Sequence, residues 1–169
     1  GVELAVSLGA RAADGRALAA IKQTELDAAL VGDPTHQPVQ RIDLATGAVE
    51  TILFRDGFLT EASSSNVWVV HEGALLGPPK SEHVLEGIRV ELLRELCEEA
   101  GIAYNLRPIA ESEVVAADEI LLSSATKEVL PVTTLDHEPV GHGAQRGKPG
   151  PVYARLHEAY QRAKSTQSV

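Results

Sequence analysis

The stretch LTEASSSNVWVV (59–70) sets an acid, three serines and an asparagine directly before a strongly apolar, β-branched run. NVWVV reads as a buried strand, because branched and aromatic side chains pack well on a pleated sheet. Glu61, Ser63, Ser64, Ser65 and Asn66 in front of it read as a turn, since Ser and Asn side chains hydrogen-bond to nearby backbone. A carboxylate and short polar groups therefore stand at the mouth of a strand that heads into a core.

The flanks extend this pattern. VETILF, an RDG turn, FLT, the serine turn, NVWVVH, an EGA turn and ALLG alternate short strands with turn signals and predict an antiparallel meander. Downstream, LEGIRVELLRELCEEAG puts Ile88, Leu92, Leu93, Leu96 and Cys97 at helical spacing, with Gly101 as its stop. AYNLRPI predicts a strand, ESEVVAA a short helix, and EILLSSA and EVLPVTTL one strand each. KPGPVYARLHEAYQRAK predicts the last helix, with Pro151 suited to its first turn. Upstream, VELAVSL reads as a strand, Asp14 can cap a helix over residues 15–30, and GDPTHQPVQ is loop. Strands followed by mixed elements predict an α+β class.

Composition narrows the function. At 169 residues with 44% hydrophobic side chains, the chain can bury the core of one compact domain spanning residues 1–169. A net charge of −9 argues against a nucleic-acid partner, which needs a basic face. Cys97 is the single cysteine, so no internal disulfide can form, and its place on the apolar side of its helix predicts core packing. No run has the length and apolarity of a membrane span or a secretory leader, and a reducing, cytoplasmic setting fits. The absence of methionine predicts that Gly1 is not the encoded start. His137 and His142 do not form a metal-binding pattern, so no metal is expected. GHGAQRG (141–147) lacks the spacing of a dinucleotide loop and reads as loop.

Chemistry can sit at three places: the serine turn, LEGIR and LSSAT. Gly87 lies just before a helix, so free N–H groups of Ile88 and Arg89 and the positive end of the helix dipole can face an anion. Ser124 and the amides around Ala125 can add donors to the same anion. The alternative for Gly87 is an ordinary helix cap.

In their order, TEASSSNVWVV, LEGIRVELL, LSSATKEVLPV and GKPGPVYARL resemble the C-terminal domain of the fold-type IV pyridoxal-phosphate enzymes. That family holds the D-amino-acid and branched-chain aminotransferases and aminodeoxychorismate lyase. The likeness runs from about residue 49 to residue 164 and leans toward the D-alanine aminotransferase branch. It implies that Glu61 faces the pyridine nitrogen of pyridoxal 5′-phosphate and that Ser63, Ser64, Ser65 and Asn66 hold the turn and surround the cofactor with donors. It further implies that Leu85 packs on the ring, that Gly87, Ile88 and Arg89 offer phosphate-binding amides, and that Ser124 with Ala125 closes the phosphate cup. Where the family often has threonine, this chain has Arg89 and Ala125, and backbone amides survive both changes. The resemblance implies amino-acid and 2-oxo-acid substrates, a homodimer, and a small N-terminal domain that this chain lacks.

The family's Schiff-base lysine lies in a short IKS-like segment upstream of the glutamate. Here Lys22, in AAIKQTEL, is the only lysine upstream of Glu61 and is the candidate catalytic residue. Its alternative is a surface pair with Glu25 on a helix. The expected activity is transamination. The alternatives are a lyase on the same scaffold and a non-catalytic remnant without the lysine.

Overall fold

A computed structural model describes residues 5–8, 50–81, 84, 87, 89–125 and 128–167. The helix expected over 15–30, the loop after it, Lys22, Leu85 and Ile88 lie outside the described residues. The described strands are β1 (Ala5–Leu8), β2 (Glu50–Arg55), β3 (Phe58–Ala62), β4 (Asn66–His71), β5 (Ala74–Gly77), β6 (Tyr104–Leu106), β7 (Glu119–Ser124), β8 (Glu128–Val132), β9 (Thr134–Leu135) and β10 (Glu138–Pro139). The described α-helices are α1 (Arg89–Glu99), α2 (Glu111–Val115) and α3 (Pro151–Gln167). Two mixed sheets form, in the orders β10-β9-β1-β2-β3 and β6-β5-β4-β7-β8. The class is α+β, as the order of elements predicts.

Two expectations change. The single meander is in fact two hairpins in different sheets: β2 pairs with β3 in the first, and β4 pairs with β5 and β7 in the second. The serine turn is the crossing between them. The reason lies in β4, whose Val67 and Val69 enter one core while Trp68 and Val70 enter another. A strand apolar on both faces needs layers on both sides, so it becomes the centre of its own sheet. EVLPVTTL likewise divides at Thr133, giving β8 to the second sheet and β9 to the first.

The hairpins are closed by two-residue loops with positive φ at both positions, the geometry that matches strand twist. Asp56 and Gly57 have φ of 51° and 84°, and Glu72 and Gly73 have 50° and 78°. Asp136 and His137 adopt 50° and 68° without any glycine.

Between the sheets lie Ile52, Phe54 and Leu59 from the first, and Val67, Val69, Ile120 and Leu122 from the second. On the other face of the second sheet, Trp68, Val70 and Leu121 pack against Leu93, Leu96 and Cys97 of α1 and Leu156, Ala159 and Tyr160 of α3. Of the predicted apolar stripe of α1, Leu93, Leu96 and Cys97 face the sheet and Leu92 packs beside them. The helix ends as its sequence requires: Gly101 has φ of 63°, and the Ile102 and Gly101 amides donate to Cys97 and Glu98 carbonyls at 2.8 and 3.1 Å. Pro151 does open α3, but the cap is a strand residue. Buried Glu119 accepts the Val152 and Tyr153 amides at 2.8 and 2.9 Å. Among the described residues, no helix is long and apolar enough to cross a membrane.

Candidate cofactor site

β3 ends the first sheet and β4 begins the second, so the turn between them sits at the junction of the two layers. Its backbone is tied down locally. The Ala62 amide donates to the Ser65 carbonyl at 2.8 Å, and the Ser63 amide donates to the Thr51 carbonyl at 2.9 Å. Glu61, immediately before this turn, is only 9% exposed. A carboxylate so withdrawn from water is not a solvated turn acid.

The three serines have a partner that sequence reasoning missed. Glu50, first residue of β2, is fully buried. Its Oε2 accepts Ser63 Oγ at 2.5 Å and the Ser64 amide at 3.0 Å. Its Oε1 accepts Ser65 Oγ at 3.0 Å and also the Ser64 hydroxyl. Each serine has one hydroxyl proton, and these go to Glu50. The serines therefore hold the shape of the turn, and Ser63 Oγ also accepts the Thr51 amide at 3.4 Å. The available signal was the acid near the head of the largely apolar VETILF, a residue type almost never fully buried unless paired.

Asn66 links the turn to the helix. Any side chain on Gly87 would overlap Asn66 Oδ1, so the backbone before α1 comes against the asparagine only because Gly87 has no Cβ. The Val90 amide donates to the Gly87 carbonyl at 3.0 Å, closing the first turn of the helix. Arg89 is the first residue of α1, so its backbone stands at the positive end of the dipole.

Asn66 also faces Ser123 across the β4–β7 ladder. Ser124 and Ala125 follow at the end of β7, where Ser124 pairs with Glu128. The three predicted places therefore meet at one end of the second sheet. Glu61, Ser63, Ser64, Ser65, Asn66, Gly87, Arg89, Ser124 and Ala125 share this region, whereas Lys22, Leu85 and Ile88 lie outside the described residues. A cleft open to solvent is lined by Asn66, Val67, Trp68, Pro78, Lys80, Val84, Val90 and Leu106.

The sequence pattern that defines the amino-transferase class IV family matches residues 43–135, more than half of the chain. D-alanine aminotransferase of Bacillus licheniformis is 39% identical over 114 residues, 68% of this chain and 39% of that protein. A probable branched-chain-amino-acid aminotransferase of Aquifex aeolicus is 35% identical over 119 residues, 69% of this chain and 37% of that protein. Among solved structures, the branched-chain amino acid aminotransferase from Escherichia coli superposes with a TM-score of 0.69 at 27% identity, covering 95% of this chain and 52% of that one. The chain thus spans about two fifths of those curated relatives and about half of that structure.

Proposed function

The chain belongs to the class IV aminotransferases, and we propose that it is the cofactor-binding domain of a pyridoxal-phosphate-dependent enzyme that moves amino groups between amino acids and 2-oxo acids. The substrate reading closest to hand is D-alanine or another D-amino acid, supported by the 39% identity to the Bacillus licheniformis enzyme. The observation that carries the proposal is the convergence on Asn66 of the start of α1, through Gly87, and the end of β7, through Ser123, beside a serine turn that follows the buried Glu61.

These residues fit such a group. The missing side chain at Gly87 leaves backbone at a helix start, the donor type a phosphate dianion takes. Glu61 supplies a carboxylate already removed from water, suited to keeping a proton on a pyridine nitrogen. When bound, the cofactor provides an electron-withdrawing ring that stabilises negative charge at the substrate Cα. Glu61 holds the nitrogen proton that makes the ring electron-poor. Gly87, Ile88, Arg89, Ser124 and Ala125 would hold the phosphate through amides and a hydroxyl, and Leu85 would pack on the ring. Lys22 is the proposed cofactor-linked amine and the base that moves the Cα proton. The complete enzyme is proposed as a cytoplasmic homodimer whose small N-terminal domain helps to choose the substrate.

Pyridoxal 5′-phosphate should give the protein a visible absorption band that borohydride abolishes. The loaded protein should then transfer the amino group of D-alanine to 2-oxoglutarate. Binding without the band, together with no transfer, would favour a non-catalytic member. Release of pyruvate from aminodeoxychorismate would favour the lyase.

A further inference from the structure

Glu50 lies outside the group of residues proposed to touch the cofactor, yet four donors of the serine turn converge on its carboxylate. It is 0% exposed and takes three serine hydroxyls and one backbone amide on its two oxygens. Those four donors come from three consecutive residues, Ser63 to Ser65. A carboxylate offers two acceptor oxygens, so four donors can converge on it, and in a fully buried site no water stands in for a lost bond. Glu50 is therefore the fixed point around which this turn is wound.

We propose that Glu50 is a positioning residue that sets the place of Glu61 relative to the cofactor ring. The route is short. Glu61 is joined through Ala62 to the clamped turn, and the Ala62 amide is itself bonded to the Ser65 carbonyl at 2.8 Å. A second tether runs from the Ser63 amide to the Thr51 carbonyl, next to Glu50 in β2. The strand carrying Glu61 and the strand carrying Glu50 are thus locked at the sheet junction. Loss of the clamp frees the turn to adopt the many conformations that three serines permit, and Glu61 loses its fixed aim.

Reach, and not charge alone, defines this role. Glutamine can keep it: its oxygen accepts the Ser64 amide, while its NH₂ donates to the Ser64 and Ser65 hydroxyls, which can turn to accept. Aspartate keeps the charge but is one methylene short of the turn.

This inference rests on the cofactor reading, and the test separates the two. Calorimetric titration of the wild-type protein, Glu50→Asp, Glu50→Gln, Glu61→Gln and the Glu50→Asp/Glu61→Gln pair would use two probes, pyridoxamine 5′-phosphate and inorganic phosphate. Glu50→Asp should weaken pyridoxamine 5′-phosphate by about tenfold or more while phosphate binding stays unchanged, and Glu50→Gln should recover most of the loss. In the Glu61→Gln background, Glu50→Asp should have little further effect, because the residue through which it acts is already disabled. Equal weakening of both probes, full additivity of the pair, or wild-type binding by Glu50→Asp would each overturn the role of Glu50 and leave the cofactor reading standing. A wild-type protein that binds neither probe would overturn both.

Discussion

Trp68 donates its indole N–H to Ser123 Oγ at 2.9 Å, between two side chains that are 2% and 0% exposed. The bond ties the helix-side core to the last residues of β7, directly before Ser124 and Ala125. Ser123→Ala would leave the indole N–H buried without its partner, at a cost of about 1–3 kcal/mol. Trp68 is the only tryptophan, so denaturant unfolding followed by its fluorescence should show the loss directly. An unchanged midpoint would mean that another acceptor replaces the hydroxyl.

Gly87→Ala should act on ligand binding more than on stability. The added methyl overlaps Asn66 Oδ1, so either the start of α1 or the asparagine must move. Binding of pyridoxal 5′-phosphate should fall by about tenfold or more, as follows when a preorganised group is displaced. Titration of the visible band is the measurement, with far-ultraviolet circular dichroism as the check that the fold persists.

Glu119 caps α3 from a neighbouring strand, and Gly150 leaves room for it, because a side chain there would overlap the carboxyl group. Glu119→Ala removes the acceptor of two helix-start amides and should cost about 2 kcal/mol, the upper range for a cap. Gly150→Ala should also destabilise, through steric displacement of the same carboxylate. Urea unfolding of both variants tests the pair.

Cys97 is fully buried, and burial pushes its thiol up to about 11. At neutral pH the reactive thiolate is therefore scarce and shielded. The native protein should react with a disulfide reagent far more slowly than the urea-unfolded chain, and Cys97→Ala should cost about 1 kcal/mol or more through the cavity it leaves. Rapid native labelling would contradict the packing role.

The pair formed by Arg107 and Glu113, at 2.6 Å, holds the Glu113 carboxyl below its ordinary value of 4.5, chiefly through the side-chain hydrogen bond and then through the Ala110 amide. A carboxyl lowered on folding stabilises above its unfolded value and loses that contribution as pH falls through the folded one. Both partners are about two fifths exposed, so solvent screening limits the contribution to about 1 kcal/mol or less. The melting-temperature difference between the wild type and Glu113→Gln should be small at pH 7, begin to shrink near 4.5 and vanish only below the lowered folded value. A difference that grows toward low pH would reverse the sign.

Sequence alone determined what depends on neighbours along the chain. The Asp56-Gly57 and Glu72-Gly73 turns, the stripe and glycine stop of α1, and the bounds of β4 and β5 follow from local sterics and from the period of apolar residues. The serine turn was legible as well, because its composition is peculiar. Tertiary structure decided how these pieces were shared out. The splitting of the meander and the division at Thr133 followed from layers that had to cover both faces of β4, a demand no local window contains. Glu50 and Glu119 stand in stretches predicted as strands, and only folding brought the first to three serines 13 to 15 positions away and the second to amides 33 and 34 positions away. A buried carboxylate must find its donors wherever the chain packs them, and sequence distance carries no information about that.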